Sequence, residues 1–368
     1  MSAHSQRMSI LVSAIVASVT IATAVAAQKG AACAPSDGVR FVCGQSGPED
    51  LVQIPGTRWL VASAFGDTGG LFLVDTRTAS ARRVFPDSRV GNRFDRKTYD
   101  GCPGPLNAVD RQRFRSHGLA IRRGTGSVHT LYVVHHGTGE RESIEVFELD
   151  ARAASPALTW IGCALAPGQI GVNSVVALPE GGFAATNFDP RSSLGGNLSA
   201  PLLAGRNNGE VWEWHTGTGW KKVPGSEASG ANGIELSPDG TWFYISQWGN
   251  KSFMRLSRNR TPVSRVQIPL GFRVDNVRWA PDGTLLVAGQ GGSDDAIFGR
   301  AQGPDVAPPR SIIGKVDPKS MTYREIINVP ETPVIAAATV AVQIGNEFWT
   351  GAFRGDRLVI YPARPLKR

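Results

Sequence analysis

Several chemistries are made improbable by what this 368-residue sequence lacks. It has only four cysteines and six histidines, and no CxxC spacing that would favour a cysteine–zinc site. It has no G-x-S-x-G nucleophile elbow, and its Gly-rich stretch GQGGSDDA at 289–296 lacks the Lys–Ser/Thr of a phosphate loop. The net charge of +8 comes mostly from scattered arginines without a basic block or recognition motif, so no nucleic-acid partner is expected.

Long apolar runs are also scarce, and the one that exists lies at the N-terminus. Residues 1–27 contain Arg7, the uncharged run ILVSAIVASVTIATAVA and small residues before Gln28. This order predicts a signal peptide. The alternative is an uncleaved membrane anchor, because the run is only slightly short of a full span. We therefore expect a bacterial periplasmic or secreted protein that is monomeric and does not insert into a membrane after signal cleavage.

Export would permit the four cysteines to form disulfides. Cys33, Cys43, Cys102 and Cys163 allow three connectivities. We favour a Cys102–Cys163 bridge, with Cys33–Cys43 closing an N-terminal loop.

Long amphipathic helices are hard to find, whereas short β-rich runs between Gly, Pro, Asn and Asp recur throughout. A unit of three such runs occurs six times, and its middle runs are WLVASAF, LYVVHH, GFAATNF, FYISQW, LLVAGQ and FWTGAF. Six antiparallel units predict an all-β, six-bladed β-propeller over residues 47–368, preceded by an N-terminal segment at 28–46. A β-sandwich with insertions is the alternative fold.

The innermost strand of each predicted blade would begin at one mouth of the central channel. The residues at that point are Glu49 and Asp50, Ser116 and His117, Asn173, Asn232, Asp275 and Asn276, and Thr339. Buried together, such polar groups would be costly without partners, and a hard cation would supply one. Calcium prefers carboxylate and amide oxygens, so we predict Ca²⁺ bound by Glu49, Asn173, Asn232, Asp275 and Asn276. Each residue alone is also compatible with a turn or cap.

Two histidines of the second blade predict a catalytic pair beside this ion. His136 ends the strand that follows His117, and the two would meet across a hairpin. His117 would take a proton from water while His136 orients it. His135 should point to the opposite face of the strand. Four aromatic residues, Phe188, Trp248, Phe298 and Phe353, would form an apolar wall, or pack between blades.

The motifs GPEDLVQIPG, FRSHGLAI, GVNSVVALPEGGFAATN, GANGIELSPDGTWFYIS and VDNVRWAPDG resemble the calcium-dependent paraoxonase/arylesterase family. The resemblance spans about residues 47–290 and implies a six-bladed propeller that hydrolyses small-molecule lactones and aryl esters. It also implies a second, structural calcium at Asp50 and the carbonyl of Leu119. Here the sequence departs from the family, because Ser174 stands where the family has an acidic residue, which puts that second ion in doubt.

Two other functions remain compatible with these residues. The protein would be a sugar lactonase related to the gluconolactonases if its mouth offered polar side chains to the substrate. It would be a non-catalytic ligand-binding propeller if calcium merely locked the blades together.

Overall fold

The computed structural model describes residues 33–36, 38–66, 69–87, 89–139, 141–193, 197–301 and 303–363. The predicted signal peptide at 1–27 lies outside these residues. Strands dominate the described chain and form six small sheets, which confirms the six-bladed β-propeller.

The first three sheets follow one another around the channel in chain order. From the channel outward, sheet 1 contains β2 (Leu51–Gln53), β3 (Trp59–Ser63), β4 (Leu71–Asp75) and β5 (Ser80–Phe85). Sheet 2 contains β7 (Ser116–Arg122), β8 (Val128–His136), β9 (Glu142–Asp150), β10 (Ala157–Leu165) and the short β6 (Gly91–Asn92). Sheet 3 contains β11 (Ile170–Ala177), β12 (Phe183–Pro190), β13 (Glu210–His215) and β14 (Gly219–Lys222).

The remaining sheets have the same arrangement from the channel outward. Sheet 4 contains β15 (Ala231–Leu236), β16 (Trp242–Gln247), β17 (Ser252–Ser257) and β18 (Arg265–Pro269). Sheet 5 contains β19 (Arg273–Trp279), β20 (Leu285–Gly291), β21 (Arg310–Val316) and β22 (Tyr323–Pro330). Sheet 6 contains β23 (Val340–Ile344), β24 (Glu347–Gly351), β25 (Arg357–Pro362) and β1 (Arg40–Cys43). The short helices are α1 (Ala108–Gln112), α2 (Ala200–Leu203), α3 (Asp294–Ile297) and a 3₁₀ turn at Arg191–Ser193.

Local sequence explains the hairpins and the core. The two PDG turns place Gly240 and Gly283 at φ of 73° and 79°, a region that residues with a side chain rarely adopt. The strands between the turns are rich in apolar residues that pack between neighbouring sheets. Trp349, for example, is fully buried in a cluster shared by sheets 6 and 1.

Sheet 6 joins the two ends of the described chain. β1 pairs antiparallel with β25, with Arg40 opposite Ile360 and Cys43 opposite Arg357. The strand at 40–43, in the segment before residue 47, therefore forms the outer edge of sheet 6. The pairing closes the ring because the outer edge of the last sheet is supplied by the start of the chain.

Four inner strands lose regular pairing at the same point. The ladder of β7 with β8 is interrupted between Ser116 and Leu119, and β11, β15 and β19 have equivalent interruptions. Each interruption skips two residues, and these pairs are 117–118, 173–174, 232–233 and 275–276. Such bulges redirect side chains away from the regular alternation of a strand. They fall on the positions predicted for the site.

Both favoured disulfides are present, Cys33–Cys43 and Cys102–Cys163. Disulfides are typical of proteins outside the reducing cytoplasm. Over the part of the chain that the structure describes, none of the helices has the length and apolar character needed to cross a membrane.

We expect removal of β1 to destabilise the propeller. A chain beginning at Gln45 would lose Val39, Phe41 and Val42, which are all buried. Burying three such side chains contributes about 5 kcal/mol, so the free energy of unfolding should fall by about that amount in denaturant titrations.

The matched control for this truncation is the Cys33→Ser/Cys43→Ser variant, which keeps the strand and loses only the bridge. It should lose less stability than the truncated chain. Equal losses in the two proteins would show that the bridge, and not the strand, closes the ring.

Candidate functional site

The predicted calcium ligands converge at one end of the channel. Glu49, Asn173, Asn232, Asp275 and Asn276 are all buried. All except Asn276 line a cavity of about 470 Å³, and Asn276 Nδ2 donates a hydrogen bond of 2.6 Å to Glu49 Oε1. The bulges position four of these residues, since they turn Asn173, Asn232, Asp275 and Asn276 out of the strand ladders.

Glycines allow the inner strands to come close enough for this convergence. A Cβ on Gly118 would lie 2.5 Å from Ser174 Cα, and one on Gly233 would lie 2.6 Å from Asn276 Cα. Both distances are shorter than a non-bonded contact permits. A side chain at either position would therefore push neighbouring ligand strands apart.

Four oxygens of this cluster are buried without a hydrogen-bond partner in the described chain. They are Glu49 Oε2, Asn173 Oδ1, Asn232 Oδ1 and Asn276 Oδ1. Unpaired buried acceptors are costly and rare, so four in one cluster are suited to binding a positively charged ligand. Burial, together with the negative charge of Glu49, raises the pKa of Asp275 well above its usual range. A bound cation would relieve both costs.

The chemistry of these donors suits a hard cation. Within the described ranges, no group of three or more His, Cys, Asp or Glu side chains is arranged to hold a metal, so amide oxygens are needed to complete a site. Two carboxylates and three amides form an all-oxygen set, which is the kind that calcium prefers. The residues therefore fit the predicted ion.

The predicted histidine pair is formed. His117 Nδ1 lies 2.9 Å from His136 Nε2, and His117 Nε2 lies 3.5 Å from Glu49 Oε1 at the cavity. His135 is on the other face of β8, where its ring stacks on Phe114 at 4.4 Å. The alternation of the strand thus separates the two neighbouring histidines as expected.

A third member of this array was missed by the sequence analysis. His136 Nδ1 lies 2.9 Å and 3.1 Å from the two carboxylate oxygens of Glu142. The Val172 amide donates to Glu142 Oε1 at 3.0 Å. His136 and Glu142 are direct partners in the β8–β9 hairpin, so counting the hairpin register from His136 would have found this carboxylate.

These contacts favour one neutral tautomer of each histidine. The carboxylate of Glu142 can only accept from His136 Nδ1–H, so His136 Nε2 is free to accept from His117 Nδ1–H. The lone pair of His117 is then on Nε2, at the cavity. A general base needs a lone pair at such a position.

An aromatic wall lines part of the cavity, and all four predicted members belong to it. Neighbouring ring centroids are 5.9 Å apart for Phe188 and Trp248, 5.8 Å for Trp248 and Phe298, and 5.9 Å for Phe298 and Phe353. Phe65 also lines the cavity and lies 4.6 Å from the His117 ring. Sequence analysis missed Phe65, which follows the second strand of the first blade.

The groups expected to hold a second calcium are bound to an arginine instead. Arg278 Nη2 donates to the carboxylate of Asp50 and, at 3.0 Å, to the carbonyl of Leu119. Arg278 Nε donates to Leu51 O at 2.9 Å. The Leu119 amide also donates to Asp50 at 2.7 Å. With a guanidinium between its two predicted ligands, this position does not fit a second ion.

We expect Arg278→Met to lower the free energy of unfolding by about 3–5 kcal/mol, because Asp50 would be left buried without a cation. Denaturant titrations in the presence of calcium would measure the loss. Adding Asp50→Asn to Arg278→Met should recover part of it, since the uncompensated charge is removed. If Arg278→Met alone were as stable as the original protein, Arg278 would not be the cation that stabilises buried Asp50.

Comparison with known proteins supports the fold and leaves the family open. No model of a known protein family matches the sequence, and neither does any curated protein. A gluconolactonase from Xanthomonas campestris is 15% identical, over 88% of this chain and 89% of its own, with a TM-score of 0.51. The PQQ-bound aldose sugar dehydrogenase from Streptomyces coelicolor is 12% identical, over 89% of this chain and 99% of its own, with a TM-score of 0.50. At such identities the likeness concerns the fold alone.

Proposed function

We propose that this protein is an exported, calcium-dependent hydrolase of small-molecule lactones or aryl esters. One observation carries the proposal. Four partnerless oxygens are clustered at the end of the channel where His117 Nε2 lies 3.5 Å from Glu49 Oε1. The resemblance of the motifs to the paraoxonase/arylesterase family agrees with it.

Glu49, Asn173, Asn232, Asp275 and Asn276 would hold the calcium ion. When bound, the ion would polarise the substrate carbonyl and stabilise the negative charge that develops on it. Because Arg278 takes the place of the second ion, the proposal is limited to one calcium per chain.

The protein's own residues supply the proton transfer. His117 Nε2 accepts the proton of the attacking water, and the positive charge that results is stabilised by His136 through the 2.9 Å hydrogen bond. Glu142 keeps His136 in the tautomer that can accept this bond. Water is thus the nucleophile and His117 is the base that activates it. His136 and the carboxylate of Glu142 orient that base.

The aromatic wall favours an apolar substrate body. Five aromatic rings line the cavity together with Leu198 and Ile297. A sugar lactone would find few hydrogen-bonding groups on this wall, and the polar lining of the cavity outside the metal cluster and His117 consists of Arg115, Asn197, Gln290 and Arg300. A non-catalytic propeller would need the oxygen cluster but would have no use for the ordered His117–His136–Glu142 array.

We expect the purified protein to contain one tightly bound calcium and to lose lactone or ester hydrolysis on chelation. Asp275→Asn should lose most of the metal and at least 100-fold of the activity, because one of two ligand charges is removed. Elemental analysis and hydrolysis of a lactone and phenyl-ester panel would measure both quantities.

The outcomes of this test separate the three functions. Hydrolysis restored by calcium, with aromatic or aliphatic rings preferred, supports the proposal. A preference for sugar lactones would favour the gluconolactonase-like function. Calcium-dependent thermal stability without turnover on the whole panel would indicate a binding propeller.

Variants of the histidine array should reduce turnover without removing the metal. We expect His117→Gln to lower kcat by about 100-fold or more, the usual contribution of a general base. Glu142→Gln should have a smaller effect, about tenfold, since His136 keeps its place but loses its fixed tautomer.

The matched control for these variants is His215→Gln, which changes a partly exposed histidine paired with Glu213 outside the cavity. Its kcat and calcium content should equal those of the original protein. Normal kcat in His117→Gln would remove the histidine array from the mechanism.

A further inference from the structure

Arg115 places a positive charge at the cavity, and no carboxylate of the described residues forms an ion pair with it. Its side chain lines the cavity, and its Nε is buried without a hydrogen-bond partner. No carboxylate in the described ranges lies within ion-pair distance of it. A guanidinium partly removed from water without an acceptor is unfavourable, so its position indicates a partner that comes from outside the protein.

The guanidinium is held at a fixed distance from the histidine array. Its Cζ lies over the ring of Phe65, 4.7 Å from the ring centroid. The other neighbours of that ring are His117 at 4.6 Å and His136 at 5.8 Å. The backbone of Arg115 is also anchored, since its carbonyl accepts the His136 amide at 3.0 Å. Arg115 and the proposed base thus lie one aromatic ring apart.

The other charges of the cavity have a protein partner or would be balanced by the proposed calcium ion. Arg300 lines the cavity too, but it forms an ion pair with Asp295 at 2.8 Å. The negative charges of Glu49 and Asp275 would be matched by a divalent ion. Arg115 is therefore the one cavity charge among the described residues that is left for a ligand to neutralise.

We propose that Arg115 binds an anionic group of the substrate, so that the preferred substrates are esters or lactones with a carboxylate or similar acidic substituent. The inference rests on the proposed function and adds a substrate class to it. A guanidinium stacked on an aromatic ring presents a planar row of N–H donors, which matches a carboxylate. The net charge of +8 would also attract anionic substrates to the protein.

A pair of esters that differ in charge would test this role. 4-Nitrophenyl butyrate and mono-4-nitrophenyl succinate have chains of similar length, and only the second has a terminal carboxylate. We expect kcat/KM of the original protein to be at least tenfold higher for the succinate. Arg115→Gln should lower that ratio by 10- to 100-fold, mainly through a loss of kcat/KM for the succinate.

Two further variants distinguish the planar donors of Arg115 from its charge, and its local effect from a change in the net charge of the protein. Arg115→Lys keeps the charge but not the planar donors, so it should retain part of the preference. Arg113→Gln removes the same charge from an exposed residue two positions earlier, and it should behave as the original protein. Equal losses for both esters in Arg115→Gln would mean that Arg115 acts on the reaction itself, which would overturn the inference, as would an unchanged ratio.

Binding without turnover provides an independent measurement. Benzoate, but not neutral benzamide, should raise the melting temperature of the calcium-loaded protein, and Arg115→Gln but not Arg113→Gln should abolish the shift. Failure of the original protein to hydrolyse either ester would count against the proposed function. A benzoate shift that persists in Arg115→Gln would count against the role of Arg115 alone.

Discussion

Negative charge buried around the propeller axis is the constraint on which this structure depends. Glu49, Asp50 and Asp275 are all buried where inner strands meet. Buried carboxylates are tolerated only with a cation or a full set of hydrogen bonds. Two groups of side chains, here called layers, meet this demand differently: one surrounds Asp50, and the other contains Glu49 and Asp275. Arg278 neutralises Asp50 from within the chain, whereas Glu49 and Asp275 lie among partnerless amide oxygens and face the cavity.

Irregular strands make this arrangement possible. A regular inner strand would send alternate side chains into the sheet contacts on either side. The interruptions at 117–118, 173–174, 232–233 and 275–276 release backbone groups from the ladder, and neighbouring blades then satisfy some of them. Asn276 N donates to Thr339 O at 2.9 Å, and the hydroxyl of Thr186 donates to Asn232 O at 2.7 Å. The bulges that direct the ligands therefore also hold adjacent blades together.

Sequence patterns predicted what recurs in every blade. The sixfold repeat predicted the propeller. The polar residues at the start of the inner strands predicted the ring of side chains that contains Glu49 and Asp275. His136 followed from strand alternation next to His117. What was missed depends on distant pairings: β1 pairs with residues more than 300 positions away, and Arg278 contacts Asp50 across different blades. No local periodicity specifies such contacts. Glu142 is the exception, since hairpin register alone would have placed it opposite His136.

Arg278, which lies where the sequence predicted a second ion, separates stability from chemistry at the axis. An ion shared by both layers would tie the folding of the inner strands to metal supply. A guanidinium that binds Asp50, Leu51 and Leu119 joins strands β2, β7 and β19 without any metal. Ser174, where an acidic ligand would add a further buried charge, is consistent with this internal cation. The oxygen cluster at the cavity is then not needed to neutralise Asp50. Its geometry can be determined by the ligand that binds in the cavity.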